Sequence, residues 1–434
     1  MEKGIPPLRL LGLVKEKIFY GWWIVVLGSL INAVGLGILY SSFTVFFLPL
    51  KRDFAVSSAA ISLLYGAARL EGGFEGPIVG HFIDRFGPRA LILIGSTMAG
   101  VGLILLSTVH SYWSFFFIYI FIVSLGSNAG FYHPTSTAVN NWFIRQRGIA
   151  FSCLSASLYV GGMIMAPILS YIILNFSWRA GAITAGLIIL AVSLPAGRYI
   201  HRSPEFLGLH PDGKPPRENP PLATQLHRPG TSSLDFTVRA ALKTMHYWIL
   251  MVAISLRLFV TVALNTHFIP ILVWRGMDEI TGAFLVSLFA FSTIITSLAM
   301  GWMGDRWKKS FLCGLGVVPT IVAMIGLIFS QATSVLYFFP IALAVTMGTA
   351  PLNWALIGDF FGRQSYATIR GFMGVGYGLA TFISPIYAGW SFDLTGSYTP
   401  ALLTLTVILA ITALLFAFLR PPSLPAGKKT VSPR

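Results

Sequence analysis

Gly80-His81-Phe82-Ile83-Asp84-Arg85 ends one long apolar run, and 221 residues later Gly301-Trp302-Met303-Gly304-Asp305-Arg306 ends another. Two further alignments fall at nearly the same spacing. Asn141-Trp142-Phe143-Ile144-Arg145 resembles Asp359-Phe360-Phe361-Gly362-Arg363 at an offset of 218, and Trp23-Ile24 matches Trp248-Ile249 at 225. Three independent matches near half the chain length mean a duplicated architecture, with each half repeating one set of apolar segments.

Working outward from these anchors, the 434 residues are 55% apolar and only 10% charged. A soluble domain carries about 25% charged residues, so this chain takes lipid as its solvent. A span needs about 20 apolar residues, and runs of that size lie at approximately 18–48, 57–83, 90–109, 112–141, 148–176, 179–198, 246–272, 280–304, 309–329, 334–360, 366–391 and 398–419. The first run is too long for a cleavable signal. Twelve spans put both chain ends on one side. With the N-terminus inside, 24 of the 30 Lys and Arg fall in inner segments and 4 in outer loops, which predicts cytoplasmic termini. The net charge of +15 is that bias rather than a basic face for nucleic acid. Residues 199–244 contain seven prolines and read as a linker between an N-terminal bundle, 1–198, and a C-terminal bundle, 245–434.

The segment Gly80-x-x-x-Asp84-Arg85-x-Gly87-x-Arg89 resembles the loop 2–3 signature of the major facilitator superfamily, with Gly301, Asp305 and Arg306 as its degenerate copy. The resemblance covers nearly the whole chain. It implies an all-α membrane protein of twelve helices in two pseudo-symmetric six-helix bundles, and that Asp84, Arg85 and Arg89 brace the bundles in one rocking state. Tyr20-Gly21-Trp22-Trp23, Trp142-Phe143-Ile144-Arg145-Gln146-Arg147-Gly148, Ser203-Pro204-Glu205-Phe206-Leu207-Gly208 and Gly389-Trp390-Ser391-Phe392-Asp393 are similar to the monocarboxylate transporter and oxalate–formate antiporter branch. That branch usually places an Arg in span 8. Here Thr281 to Met300 carries no charge and span 11 none beyond Arg370, so recognition must sit elsewhere.

Charges inside spans mark those alternatives, since each costs at least ~2.5–3.5 kcal/mol at the bilayer centre. Arg257 lies about 13 residues into span 7, roughly 20 Å of rise and near the midplane. The offset of 225 pairs it with Asn32 of span 1, so the two are expected to face each other across the central cavity. A guanidinium fork suits a carboxylate, and the alternative is an Arg satisfied by carbonyls or a buried acid. Arg69 of span 2 is a second anion contact or a structural ion pair. Glu71 and Glu75, four residues apart on the other side of that helix, are candidates to carry a coupled proton or to form an interbundle salt bridge. Asp359, His133 and His267 are weaker proton candidates. Tyr40, Asn128, Tyr132, Asn265, Asn353 and Tyr377 supply polar groups in cavity spans or span 11 and are expected to contact substrate or to glue helices.

Cys153 and Cys313 form no metal motif, and there is no nucleotide loop or catalytic constellation, so no cofactor, no metal and no enzyme activity are expected. The reading is a monomeric secondary transporter in the cell membrane. It carries a small organic anion of monocarboxylate type by alternating access, with proton symport or counter-anion exchange. The alternative is a carrier or exporter of a larger apolar or aromatic compound.

Overall fold

The structure, a computed structural model, describes residues 19–41, 43–56, 58–213 and 235–422. Twelve membrane-length elements appear in the expected order. Eight are continuous: α2 (Ser58–Phe86), α3 (Pro88–Leu106), α5 (Arg147–Asn175), α6 (Trp178–Arg198), α8 (Glu279–Gly304), α9 (Lys309–Phe329), α11 (Tyr366–Thr395) and α12 (Thr399–Phe418). The other four are interrupted. The first, α1, runs Tyr20–Leu36, passes through a π turn at Gly37–Ser41 and resumes at Phe43–Asp53. α4 begins at Tyr112–Ile118, has a π turn at Tyr119–Ser124, continues over Leu125–Gly130 and breaks at Phe131 before Tyr132–Trp142. α7 joins Met245–Thr266 to Phe268–Trp274 through His267, and α10 joins Thr333–Gly348 to Ala350–Phe361 through Thr349.

These interruptions obey the duplication. Phe131 and Thr349 are 218 apart, the spacing of the Arg145 and Arg363 alignment. His267 minus the offset of 225 falls just past the α1 π turn. Proline explains two of them locally. Pro270 and Pro351 lie in the first turn of the resumed helices, where a missing N–H costs little.

Pairing is also two-fold. Within the halves α3 packs on α6 and α9 on α12; between them α2 packs on α11 and α5 on α8. Glycine sets the α2–α11 distance, for a Cβ on Gly371 would lie 2.1 Å from the Gly76 carbonyl oxygen and one on Gly80 would lie 2.3 Å from that of Ala367. Both chain ends leave the bundle on one side, here called the terminal face. There a single buried cluster runs from Ile24 and Trp142 of the first half to Phe361, Tyr366 and Phe416 of the second. Farther across the membrane the second half has its own cluster around Leu264, Phe339 and Leu405. The bundles are therefore fused at the terminal face. Large apolar side chains such as Leu174 (82% exposed) and Phe418 (79%) point outward, as hydrocarbon solvent requires.

Candidate functional site

At the terminal face the two copies of the repeated motif do the same work. Asp84, at the end of α2, accepts hydrogen bonds from Ala367 N (3.2 Å), Thr368 N (2.9 Å) and Thr368 Oγ1 (2.6 Å), capping α11. Asp305, just past α8, accepts from Gly148 N (2.6 Å) and Ile149 N (3.0 Å), capping α5. Each carboxylate thus ends a helix of one bundle and caps the first turn of a helix in the other, where orphan donors and the helix dipole favour an anion. The arginines of the motif behave differently from the resemblance. Arg85 is exposed and stacks over Phe86 at 5.4 Å, Arg306 lies 3.8 Å over Trp302, and Arg89 is exposed. Gly87 has φ +86°, which makes glycine the fitting residue at that turn.

Asp359 holds a further cross-bundle contact. It pairs with Arg147 of α5 at 2.9 Å and with Lys309 of α9 at 2.8 Å, and all three side chains are buried. A carboxylate clamped by two cations is an ion-pair partner, so it is set aside as a proton carrier. His133 Nε2 lies 3.1 Å from the Ala367 carbonyl oxygen, also across the bundles.

Above this gate sits Arg257, 1% exposed and in the middle of α7. With the Asn353 amide oxygen turned toward it, Nε and Nη2 donate at 2.9 and 3.2 Å. Nη1 donates to the Thr346 carbonyl at 3.4 Å, and Cys313 Sγ lies 3.4 Å from the Asn353 amide. Among the described residues Arg257 has no acidic partner. Its surroundings are neutral dipoles on α10 and α9.

A second buried cation is Arg370, which falls among the inner charges of the sequence count and lies one turn inside α11, whose start at Tyr366 is the expected one. It is 5% exposed, stacks over Trp354 (4.5 Å) and Tyr132 (4.9 Å), and donates from Nη1 to Ser136 Oγ. It too lacks an acid among the described residues. Tyr132 also bonds Ser155 at 3.1 Å, and Tyr377 meets Trp354 with ring centroids 5.8 Å apart. Tyr159 of α5, within electrostatic reach of Arg257 and Tyr132, joins the two arginine environments.

Glu71 and Glu75 come together with α4. Ser124 Oγ donates to Glu71 Oε2 at 2.8 Å. Glu75 is 7% exposed, has Glu71 and Asn128 beside it, and neither oxygen receives a hydrogen bond in proper geometry. No Lys or Arg pairs with either acid among the described side chains.

The remaining expected residues are scattered. Asn32 does not face Arg257: it exchanges hydrogen bonds with Thr135 of α4 at 3.1 and 3.2 Å and is fully buried in its own bundle. Duplication aligned its position but not its side-chain direction. Asn265 is exposed at the end of the first α7 segment. His267 bridges the Tyr398 hydroxyl and the Pro385 carbonyl, both at 3.0 Å, which makes it a fixed link among α7, α11 and α12. The side chains of Arg69 and Tyr40 lie outside the described residues, as does linker 214–234.

Known proteins agree with this architecture. The Major Facilitator Superfamily description matches residues 25–277 and 255–433. Human monocarboxylate transporter 6 is 24% identical over 388 residues, covering 87% of this chain and 76% of the relative. Rat monocarboxylate transporter 13 is 25% identical, covering 88% and 84%. Among solved structures, FucP of E. coli in the outward conformation superposes with a TM-score of 0.69 at 14% identity, covering 92% of this chain and 99% of that one. Two repeated bundles joined by duplicated cross-bundle caps, together with a family match over nearly every described residue, identify the chain as a multi-pass membrane transporter, not an enzyme, belonging to the major facilitator superfamily.

Proposed function

We propose that this transporter carries a small organic anion of monocarboxylate type, with proton symport or anion exchange. The observation that carries the reading is a pair of buried guanidinia, Arg257 and Arg370, held by neutral groups and aromatic rings with no acidic partner among the described residues. A buried cation needs a counter-charge, and a carboxylate passenger supplies one. The similarity to monocarboxylate transporters supports the same substrate class.

In this reading bundles 1–198 and 245–434 rock about the site. The terminal face is cytoplasmic and closed, and the passenger enters from the far face. Arg257 binds the carboxylate as Asn353 yields part of its fork. Glu71 and Glu75, adjacent acids with no cation partner among the described side chains, share the coupled proton, and Ser124, Asn128 and Tyr377 are their polar surroundings. Uptake of lactate-, pyruvate- and oxalate-like acids into proteoliposomes, with and without an imposed pH gradient, tests the proposal. Normal transport by Arg257→Gln, or no uptake of any carboxylate, refutes it.

The rings of Tyr132, Tyr159, Trp354 and Tyr377 favour a second reading, a larger aromatic passenger. It requires neutral aromatic ligands to raise the melting temperature more than small carboxylates do.

A further inference from the structure

The gate at the terminal face is duplicated but unequal. On one edge Asp359 ties Arg147 and Lys309 across the bundles. The repeat offsets of 218 and 221 place Asn141 where Asp359 would stand and Pro88 where Lys309 would stand. Among the described residues the repeats themselves form no ion pair at that second edge, and a cavity of about 230 Å³ lies there, lined by Asp84, Pro88, Asn141, Arg202, Glu205 and Arg363 among others. The segment following α6 enters this gap.

We propose that residues 199–213 are a conformational latch in which Glu205 supplies a cross-bundle ion pair at the second edge, beside the Asp84 cap. The segment is anchored to the first bundle. Tyr20 Oη donates to Tyr199 O (3.0 Å), Trp142 Nε1 to His201 O (2.9 Å) and Asn141 Nδ2 to Arg202 O (3.1 Å). Asp212, held at φ +56°, accepts from the backbone of Ile144 (3.2 Å), Arg145 (2.9 Å) and Gln146 (3.4 Å). From this fixed base Glu205 takes both ends of the Arg363 fork, at 2.9 and 3.1 Å, and Arg363 belongs to the second bundle.

The returning end of the linker mirrors the arrangement. Asp235 accepts from Arg363 N (2.7 Å) and Gln364 N (3.1 Å), the counterparts of Arg145 and Gln146 at the offset of 218. Each end of the linker therefore staples one repeat's loop, and Glu205 is the link that crosses. Because its base moves with one bundle and its partner with the other, the bridge must break when the terminal face opens. It is half exposed, so it biases the equilibrium instead of locking it.

The test uses full-length protein in nanodiscs with Cys153→Ser, and spin labels on Arg198→Cys and Met245→Cys, exposed positions on opposite bundles. Distance distributions are compared for Glu205→Gln, Arg363→Gln, the double variant and the charge swap Glu205→Arg with Arg363→Glu. Each single variant should raise the open population about two- to five-fold. The double should equal a single, and the swap should return the wild-type distribution. Asp212→Asn, which loosens the base and leaves the bridge chemistry untouched, should shift it in the same direction. Unchanged populations in the single variants, additive effects in the double, or a swap that fails to restore would overturn the latch. This readout needs no substrate, so failure to transport carboxylates would count against the functional proposal alone.

Discussion

Asp84→Ala isolates the cost of opening one edge of the gate. The wild-type carboxylate satisfies two backbone donors and one hydroxyl at the first turn of α11. Replacing a helix cap by alanine costs about 1 kcal/mol, and losing the Thr368 hydroxyl bond about another. Both donors and acceptor lie on different bundles, so the loss of about 2 kcal/mol falls on the closed state and hardly touches either bundle alone. That corresponds to about a 30-fold shift toward the state open at the terminal face. The assay is electron–electron distance measurement between labels on the two bundles, paired with thermal melting. A large change in populations with little change in melting temperature is expected, and Asp305→Ala should act alike through α5. If Asp84→Ala lowers the melting temperature but leaves the populations where they were, the cap is a folding element and the gate argument fails.

Acidification should also move the gate. Burial pushes the Asp305 carboxyl up to about 6, against the hydrogen bonds from Ile149 and Gly148 and the charge of Lys309 that pull it down, with Asp359 adding to the rise. A solvated Asp titrates near about 4, so the closed state binds this proton more tightly; the contribution is complete below about 4 and is lost as pH rises through about 6. Lowering pH from 7 to 5 should therefore favour closure, and Asp305→Asn should remove that part of the pH dependence in the same distance measurement. Gly371→Ala drives a methyl into the Gly76 carbonyl and should abolish uptake, whereas Gly389→Ala, whose nearest neighbour is His267 at 3.5 Å, should be tolerated. Arg257→Lys keeps the charge but not the fork, so carboxylate uptake should show KM raised about ten-fold or more, measured as initial rates. Arg370→Gln should impair carboxylate uptake while leaving the Asp84 and Asp305 caps, and hence the melting temperature, nearly unchanged.

The fold was readable because duplication constrains it twice. Hydropathy located the spans, and the repeated Gly-x-x-x-Asp-Arg fixed their pairing into halves; the same spacing then recurred in the helix breaks at Phe131 and Thr349. Arg257 stood out as a charge where only lipid or cargo should be. Arg370 did not, because it lies in the first turns of span 11, where an arginine ordinarily reaches the interface, and the groups that enclose it, Tyr132, Ser136 and Trp354, are distant or unmarked in the chain. Asn32 shows the limit of symmetry: an offset carries Cα positions across, while the partner, Thr135, decides where the side chain turns. The linker was legible as proline-rich and, at Ser203 to Gly208, as a stretch resembling one branch of the family. That Glu205, Asp212 and Asp235 grip particular loops depends on contacts far apart in the chain, which composition does not encode.

The four interrupted helices change hydrogen-bond register within the membrane, while the other eight run unbroken across it. Eight unbroken rods can then persist as a chassis while single replacements at the seams retune what the protein accepts. Cargo preference in such an architecture can drift between kin without any remodelling of the layer that meets lipid.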